Sequence, residues 1–579
     1  MDRTAWIAVA LCIIGLVLWE YYSVTHPAPA PARPSASPTA SAGATPTVRP
    51  PIASPTPVPS ITPATPTPTP TPFTEKTTTL RNNDLQLLMT NRGGGIAEAV
   101  LPKHKAENGG PIKLNRPNDL PIGAIIEKPA TPDLGEFAIK TEKGAVAFQR
   151  DLGNGVTLRK RFMLPANPNE KDSYVVQMEV SLLNSGDTAY AQPASFIALG
   201  SAAPVHGNDW TNYTRLTWSL NRKTKTTDVN WFGEQTYPFG LGQRRPAQQF
   251  FEQSIANAQW AAVSNQFFCT LLTTLDATAD KVWATRFEIG DQPPGQASLY
   301  GITGAIGIPG FQVQPDQTAT RKFQLYIGPK LYHRLAQLSH DEAEIMDFGM
   351  WKLVSQALLN LMNLINRFVG NYAIAILILT AIVKAVLWPL QTKANKSMRR
   401  MAALSPKMQE LREKYKDDPT RMNQEVMRLY KDYGVNPVSG CLPMFIQIPI
   451  FFGLFTMLRQ AVELRNASFL WVHDLSQPDT IAHIPGLGWP INILPLIMAA
   501  TSFWMTHVTP KSGDATQQRV MMFMPLIFVV FCYNFAAALA LYYTTQNLFT
   551  ILQLYQNRNQ PLPKLEKVNQ PAKRKGKAR

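Results

Sequence analysis

The sequence predicts a polytopic α-helical membrane protein of six spans carrying a large all-β domain outside the membrane. Three observations lead there. Apolar runs lie near the N-terminus and across the C-terminal third, a long stretch between them alternates with period two, and excess Lys and Arg falls between alternate runs. Chain-wide averages hide this mosaic: 579 residues, 17% charged, net charge +16 and 48 prolines, with a mean hydropathy of −0.12. At roughly 100–200 residues per domain the length calls for several units.

Residues 1–22 hold an apolar run, Ala5 to Trp19, behind a short charged start. The segment reads as a cleaved signal peptide or an uncleaved anchor; Pro31 directly after the small-x-small sequence Ala28–Ala30 disfavours cleavage. The expectation is a transmembrane anchor with Trp19, Tyr21 and Tyr22 as its interfacial belt. Residues 23–72 follow as a Pro/Ala/Thr-rich tether, and 16 of the prolines lie within 27–72. Such composition buries too little apolar surface to offset ordering and favours extended polyproline geometry. At ~3.1 Å per residue its proline-rich part, 27–72, reaches about 140 Å.

From 73 to 330, short alternating segments such as SYVVQMEVSLL and KFQLYI are cut by NSGD, GPK and similar turns, the grammar of an antiparallel all-β sandwich. His104 and His206 show no acidic neighbour at a dyad spacing, and no glycine-rich phosphate loop follows a strand. A carbohydrate site on such a sandwich is the alternative to a purely structural domain. The four cysteines, Cys12, Cys269, Cys441 and Cys532, have no metal spacing and read as buried thiols.

Residues 341–369 place Lys352, Gln356, Asn360, Asn363 and Arg367 at helical intervals among apolar side chains, predicting an amphipathic interfacial helix ended by Gly370 and Asn371. Five apolar runs complete residues 370–556: Tyr372–Trp388, Cys441–Leu458, Pro490–Val508, Val520–Phe535 and Ala536–Gln556. Several fall short of the ~30 Å hydrocarbon core.

Charge sets the orientation. Residues 391–434 carry net +5, 509–519 net +1 and 557–579 net +7, whereas 459–490 carry net −1. The basic segments belong inside, so both termini are cytoplasmic and the β domain is external. Within 391–434, Ser405 with Pro406 and Asp418 with Pro419 open two helices of a charged hairpin. That hairpin is either a solvated loop or a docking surface.

Lys384, twelve residues into its apolar run, is the residue that carries chemistry. A lysine there costs about 2.5–3.5 kcal/mol on insertion scales, which marks a functional charge by default, although snorkelling past Pro389 is an open alternative. Thr380, Gln447, Asn534 and Tyr543, with Tyr542, Thr544, Gln546 and Asn547, add polar groups to the same spans and suggest a wet, positive cavity.

The run NPVSGCLPMFIQIPIFFGLF (436–455), preceded by FVGNYAIAILILTAIVKAVLWPL and followed by ELRNASFLWVHDLS, resembles the YidC family of membrane protein insertases. The resemblance implies a five-helix insertase core, a periplasmic β-supersandwich and localisation to the bacterial inner membrane. It implies a hydrophilic groove, open to the cytoplasm and the lipid, in which a positive residue attracts acidic residues of nascent membrane proteins. It also implies action alone or beside the Sec translocon, with ribosomes received by the hairpin and the basic tail, and no enzymatic activity. The family carries arginine where this chain has Lys384, and the last spans lack its Pro-Ser-Gly. No cofactor or metal is expected, since no nucleotide or metal motif occurs. Two alternatives make different demands: a secondary transporter requires repeated, broken spans, and an anchored envelope or carbohydrate-binding protein requires spans without a buried charge.

Overall fold

In the strand Val156–Met163, the side chains of Val156, Leu158, Lys160 and Phe162 are buried and those between them are more exposed. This period of two puts every second residue on the core face. By register alone a lysine therefore occupies a core position. Its ammonium is held by the carbonyls of Gly93 at 2.5 Å and Gly123 at 3.1 Å and lies 4.6 Å from the Phe137 ring centroid. Burial pulls its pKa down to about 7.

The computed structural model describes residues 73–165, 173–220, 223–236, 243–290, 298–435, 442–485, 488–509 and 515–558. The expected anchor and tether, Cys12, Cys441 and the basic tail from 559 onward lie outside the described residues. The described residues from Glu75 onward belong to one compact unit.

The β region is antiparallel throughout its described pairings. A nine-stranded sheet runs from Lys223–Asp228 at one edge, through Arg215–Leu220, Trp260–Ser264, Phe268–Thr274 and Gln317–Pro329, to Ala138–Glu142 at the other. A five-stranded sheet is centred on Tyr300–Ile308, and Thr77–Leu114 forms a four-stranded meander. The two larger sheets meet face to face where Gly304 opposes Leu216 and Val263. A Cβ at Gly304 would come within 2.7 Å of Val263 Cγ1, so the absent side chain allows this close approach. Cys269 is buried in the same core, and Cys532 is buried among the helices.

After Pro329 the chain crosses from sheet to helices along a buried seam. Glu342, fully buried, accepts from the Thr273 hydroxyl at 3.0 Å, and the Trp260 indole donates to the His340 carbonyl at 2.9 Å. Arg215 bonds Asp347 at 3.2 Å and the Ile345 carbonyl at 3.1 Å. Positive φ at Asp341, Asp347 and Gly349 breaks any helix through this stretch. The amphipathic helix α1 (Lys352–Val369) consequently begins at Lys352, not at Asp341. It buries Leu358, Leu359, Met362 and Ile365 and leaves Leu353 and Phe368 exposed.

Helix α2 (Tyr372–Lys414) opens on Asn371, whose side chain accepts from the Ala373 and Ile374 amides. It runs without interruption through Pro389 and Pro406. The expected restart at Ser405 and Pro406 does not occur; intrahelical bonds elsewhere carry the helix past both prolines, and its 43 residues span about 65 Å. It contains an 18-residue apolar window long enough to cross a membrane. Helix α3 (Pro419–Asp432) starts on the Asp418 cap and folds back, with the Tyr430 hydroxyl on Met408 Sδ at 3.1 Å. Four helices follow: α4 (Leu442–Gln460), α5 (Ile493–Val508), α6 (Ala515–Cys532) and α7 (Ala537–Arg558). Helix α7 packs against α2, α4 and α5.

Candidate functional site

In α7, Tyr543, Gln546, Asn547, Thr550 and Gln553 recur at intervals of three, one, three and three, which puts them on one helical face. Each of the last four reaches a different point of the surrounding helices. Asn547 donates to Thr501 at 3.2 Å and Ser502 at 2.8 Å on α5. Gln546 accepts from Gln447 of α4 at 3.1 Å, and Gln553 donates to Thr392 of α2 at 3.1 Å. Thr550 accepts from the Lys384 ammonium at 2.7 Å, and its own hydroxyl donates to the Gln546 carbonyl at 2.8 Å.

Lys384 is 5% exposed. Its described partners, Thr550 and the Gln391 amide oxygen at 3.5 Å, are both neutral. Neutral oxygens satisfy ammonium protons but leave the charge uncompensated, so an arriving carboxylate gains more than it would beside an existing ion pair.

The structure thus joins Lys384 and Gln447 through α7. Thr380 is buried one turn before Lys384, but its hydroxyl bonds back to the Ile376 carbonyl at 2.7 Å. Tyr543 packs into an aromatic cluster, its ring 5.5 Å from Phe451 and 5.0 Å from Phe528. Asn534 is not brought to Lys384; it lies in the α6–α7 turn, where its side-chain oxygen accepts from Asn492 at 3.4 Å. Thr550, Gln391, Gln553 and Thr392 were missed from sequence; the three-four spacing of polar residues on α7 carried the signal for Thr550 and Gln553, whereas Gln391 and Thr392 sit on α2.

A second polar cluster joins the β region to the helix ends. The Arg459 guanidinium lies 3.5 Å from the Trp210 ring centroid and 3.9 Å from that of Phe455, and its carbonyl accepts from Gln266 at 2.8 Å. His206, which lacked an acidic partner by sequence spacing, in fact pairs with Asp209 at 3.1 Å, because a turn folds the intervening residues back. Asp209 also accepts from the Val205 and His206 amides, and the Gln477 amide nitrogen lies 3.0 Å from the same His206 ring nitrogen and 3.5 Å from Asp209 Oδ1, to which it donates. These bonds occupy the pair as a staple between loops. Arg465 reaches the Lys105 carbonyl at 3.0 Å, and burial lowers its pKa.

This architecture defines a class: a protein whose helices carry a buried cation and whose all-β region packs on their ends. The family model described as "60Kd inner membrane protein" matches residues 364–562, and that of the "YidC periplasmic domain" matches 77–361. A membrane protein insertase YidC of Chlorobaculum tepidum is 30% identical over 83% of this chain and 81% of its own length. One from Syntrophobacter fumaroxidans is 39% identical over 51% of this chain, a match spanning 53% of that relative. A solved structure described as an active YidC insertase with its first transmembrane domain resolved is 19% identical, covering 83% of this chain and 93% of its own, with a TM-score of 0.35. The chain belongs to the YidC family of membrane protein insertases, which are not enzymes.

Proposed function

We propose that the chain inserts nascent membrane proteins by drawing acidic residues of an incoming segment to Lys384 while the apolar part of that segment partitions into lipid. The observation that carries this reading is a buried ammonium whose described partners are all neutral, at the meeting of α2 and α7. A carboxylate cannot cross hydrocarbon alone at reasonable cost; a fixed cation partway across shortens that passage. Hydrophobic partitioning and the membrane potential supply the drive.

In this reading α2 and α4–α7 are the five spans of an insertase core within 370–556, and residues 1–22 supply a sixth. The β region, 73–330, is a periplasmic supersandwich, residues 23–72 its tether, and α1 an interfacial helix. The termini, the hairpin within 391–434 and the basic tail 557–579 are cytoplasmic, following the positive charge. The hairpin and tail receive ribosomes, and larger substrates arrive beside the Sec translocon. Gln447, Thr380 and Tyr543 line the groove with Lys384, and Asn534 lies at its outer end.

Photo-crosslinking from Val383 and Thr550 to a stalled single-span nascent chain tests the reading. Adducts that follow the acidic segment as the chain lengthens support it. Crosslinks to lipid alone at every length would sink it.

A further inference from the structure

Between α4 and α5 the chain forms a two-stranded hairpin, Thr480–His483 paired with Pro490–Asn492. An isolated pair of strands is marginal in water, and exposed edges of soluble sheets are guarded by charge, especially lysine. Residues 480–492 contain no Asp, Glu, Lys or Arg. Instead Ile481, Ile484 and Trp489 are exposed, Trp489 by 67%, and nearby Leu470, held at φ 53°, is 75% exposed beside Trp471.

The base of the hairpin is fixed. Buried Asp479 accepts from the Leu494 amide in the first turn of α5 at 2.6 Å and from the Trp471 indole at 3.1 Å. Asn492 accepts from the Thr480 hydroxyl at 2.7 Å and donates to the Tyr533 carbonyl at 2.8 Å. Gln477, three residues before the hairpin, bonds His206 of the β region, which places the hairpin at the end of the helices that faces that domain. Exposed apolar surface carries on down α5 at Leu496, Phe503 and Trp504.

We propose that the strands Thr480–His483 and Pro490–Asn492, with Ile484, Trp489, Leu470 and Trp471, form a lipid anchor seated at the headgroup–acyl boundary of the outer leaflet. Indoles favour that boundary, and an uncharged apolar loop continuous with a lipid-facing helix has its lowest free energy there. The anchor also answers a mismatch. The 16 residues of α5 give about 24 Å of helix against a ~30 Å core, and interfacial anchors fix the depth of so short a span. The proposal rests on reading α5 as a span with its N-terminus outside.

The test uses the full chain in phosphatidylethanolamine–phosphatidylglycerol vesicles, with a fluorescent amino acid in place of Trp489 or, separately, Ile481. Reference probes replace Val386, exposed on α2, and Lys143, exposed in the β region. Acyl-brominated phospholipid should quench the hairpin probes about twofold or more, as at Val386, while aqueous iodide spares them. Iodide quenching like that at Lys143, with Val386 still lipid-quenched, overturns the anchor and leaves the spans standing. Shielding from both quenchers shows a protein partner and also overturns it. Loss of lipid quenching at Val386 overturns the spanning reading and the anchor with it.

Discussion

The Lys384 ammonium donates to the Thr550 hydroxyl at 2.7 Å, and that hydroxyl donates in turn to the Gln546 carbonyl one turn back on α7. The cation is thus oriented by a helix other than its own. A hydrogen bond to a charged group contributes about 1.5–3 kcal/mol. Thr550→Val should therefore lower insertion of a single-span substrate with acidic residues by several-fold, and Thr550→Ser should preserve it. A reconstituted insertion assay at matched protein level checks the pair; equal activity of the two variants would remove Thr550 from the account.

Arg459 is clamped between Trp210 and Phe455. A planar guanidinium stacks on two rings where a lysine presents only a point charge, and each desolvated contact contributes up to about 2 kcal/mol. Arg459→Lys should keep the charge yet lower the thermal midpoint nearly as much as Arg459→Ala. Limited proteolysis between 203 and 213 should accelerate in both.

Lys330 is fully buried, and among the described residues its ammonium has no hydrogen-bond partner, though the Tyr213 ring lies 5.5 Å away. Burial, helped by Arg215, pulls its pKa from 10.5 down to about 7. Between those values the unfolded chain holds a proton that the folded chain has released, so stability rises with pH from about 7 toward 10.5 and falls on return. Lys160 adds a slope of the same sign. Lys330→Met should raise stability at neutral pH by about 1–3 kcal/mol and flatten the slope without abolishing it. Thermal unfolding at pH 7 and 9.5 checks both effects.

What the sequence disclosed follows from which signals are local. Alternation in VTLRKRFM and the apolar run around Lys384 are read within a few residues. The continuity of α2 through Pro406 was not legible, because Ser-Pro writes a helix start whether or not an existing helix runs into it. His206 with Asp209 was missed because an i, i+3 pair in a turn has no periodic context. Lys160 and Lys330 escaped notice because a lysine in a strand, or directly after one as Lys330 is, reads as solvent-facing until the register is known. The Thr550 contact pairs residues 166 positions apart, a distance at which only the packing of α2 on α7 speaks.

The central claim is that the charge of Lys384 recruits acidic residues of the substrate, and a charge exchange tests it most directly. Insertion into proteoliposomes is measured for a single-span substrate with aspartates in its translocated segment, and for the same substrate with lysines in their place. The account predicts that Lys384→Arg inserts the acidic substrate normally, Lys384→Ala inserts it poorly, and Lys384→Glu fails with it but gains on the lysine version. Undiminished insertion of the acidic substrate by Lys384→Glu, with the protein folded and present at normal level, would contradict it.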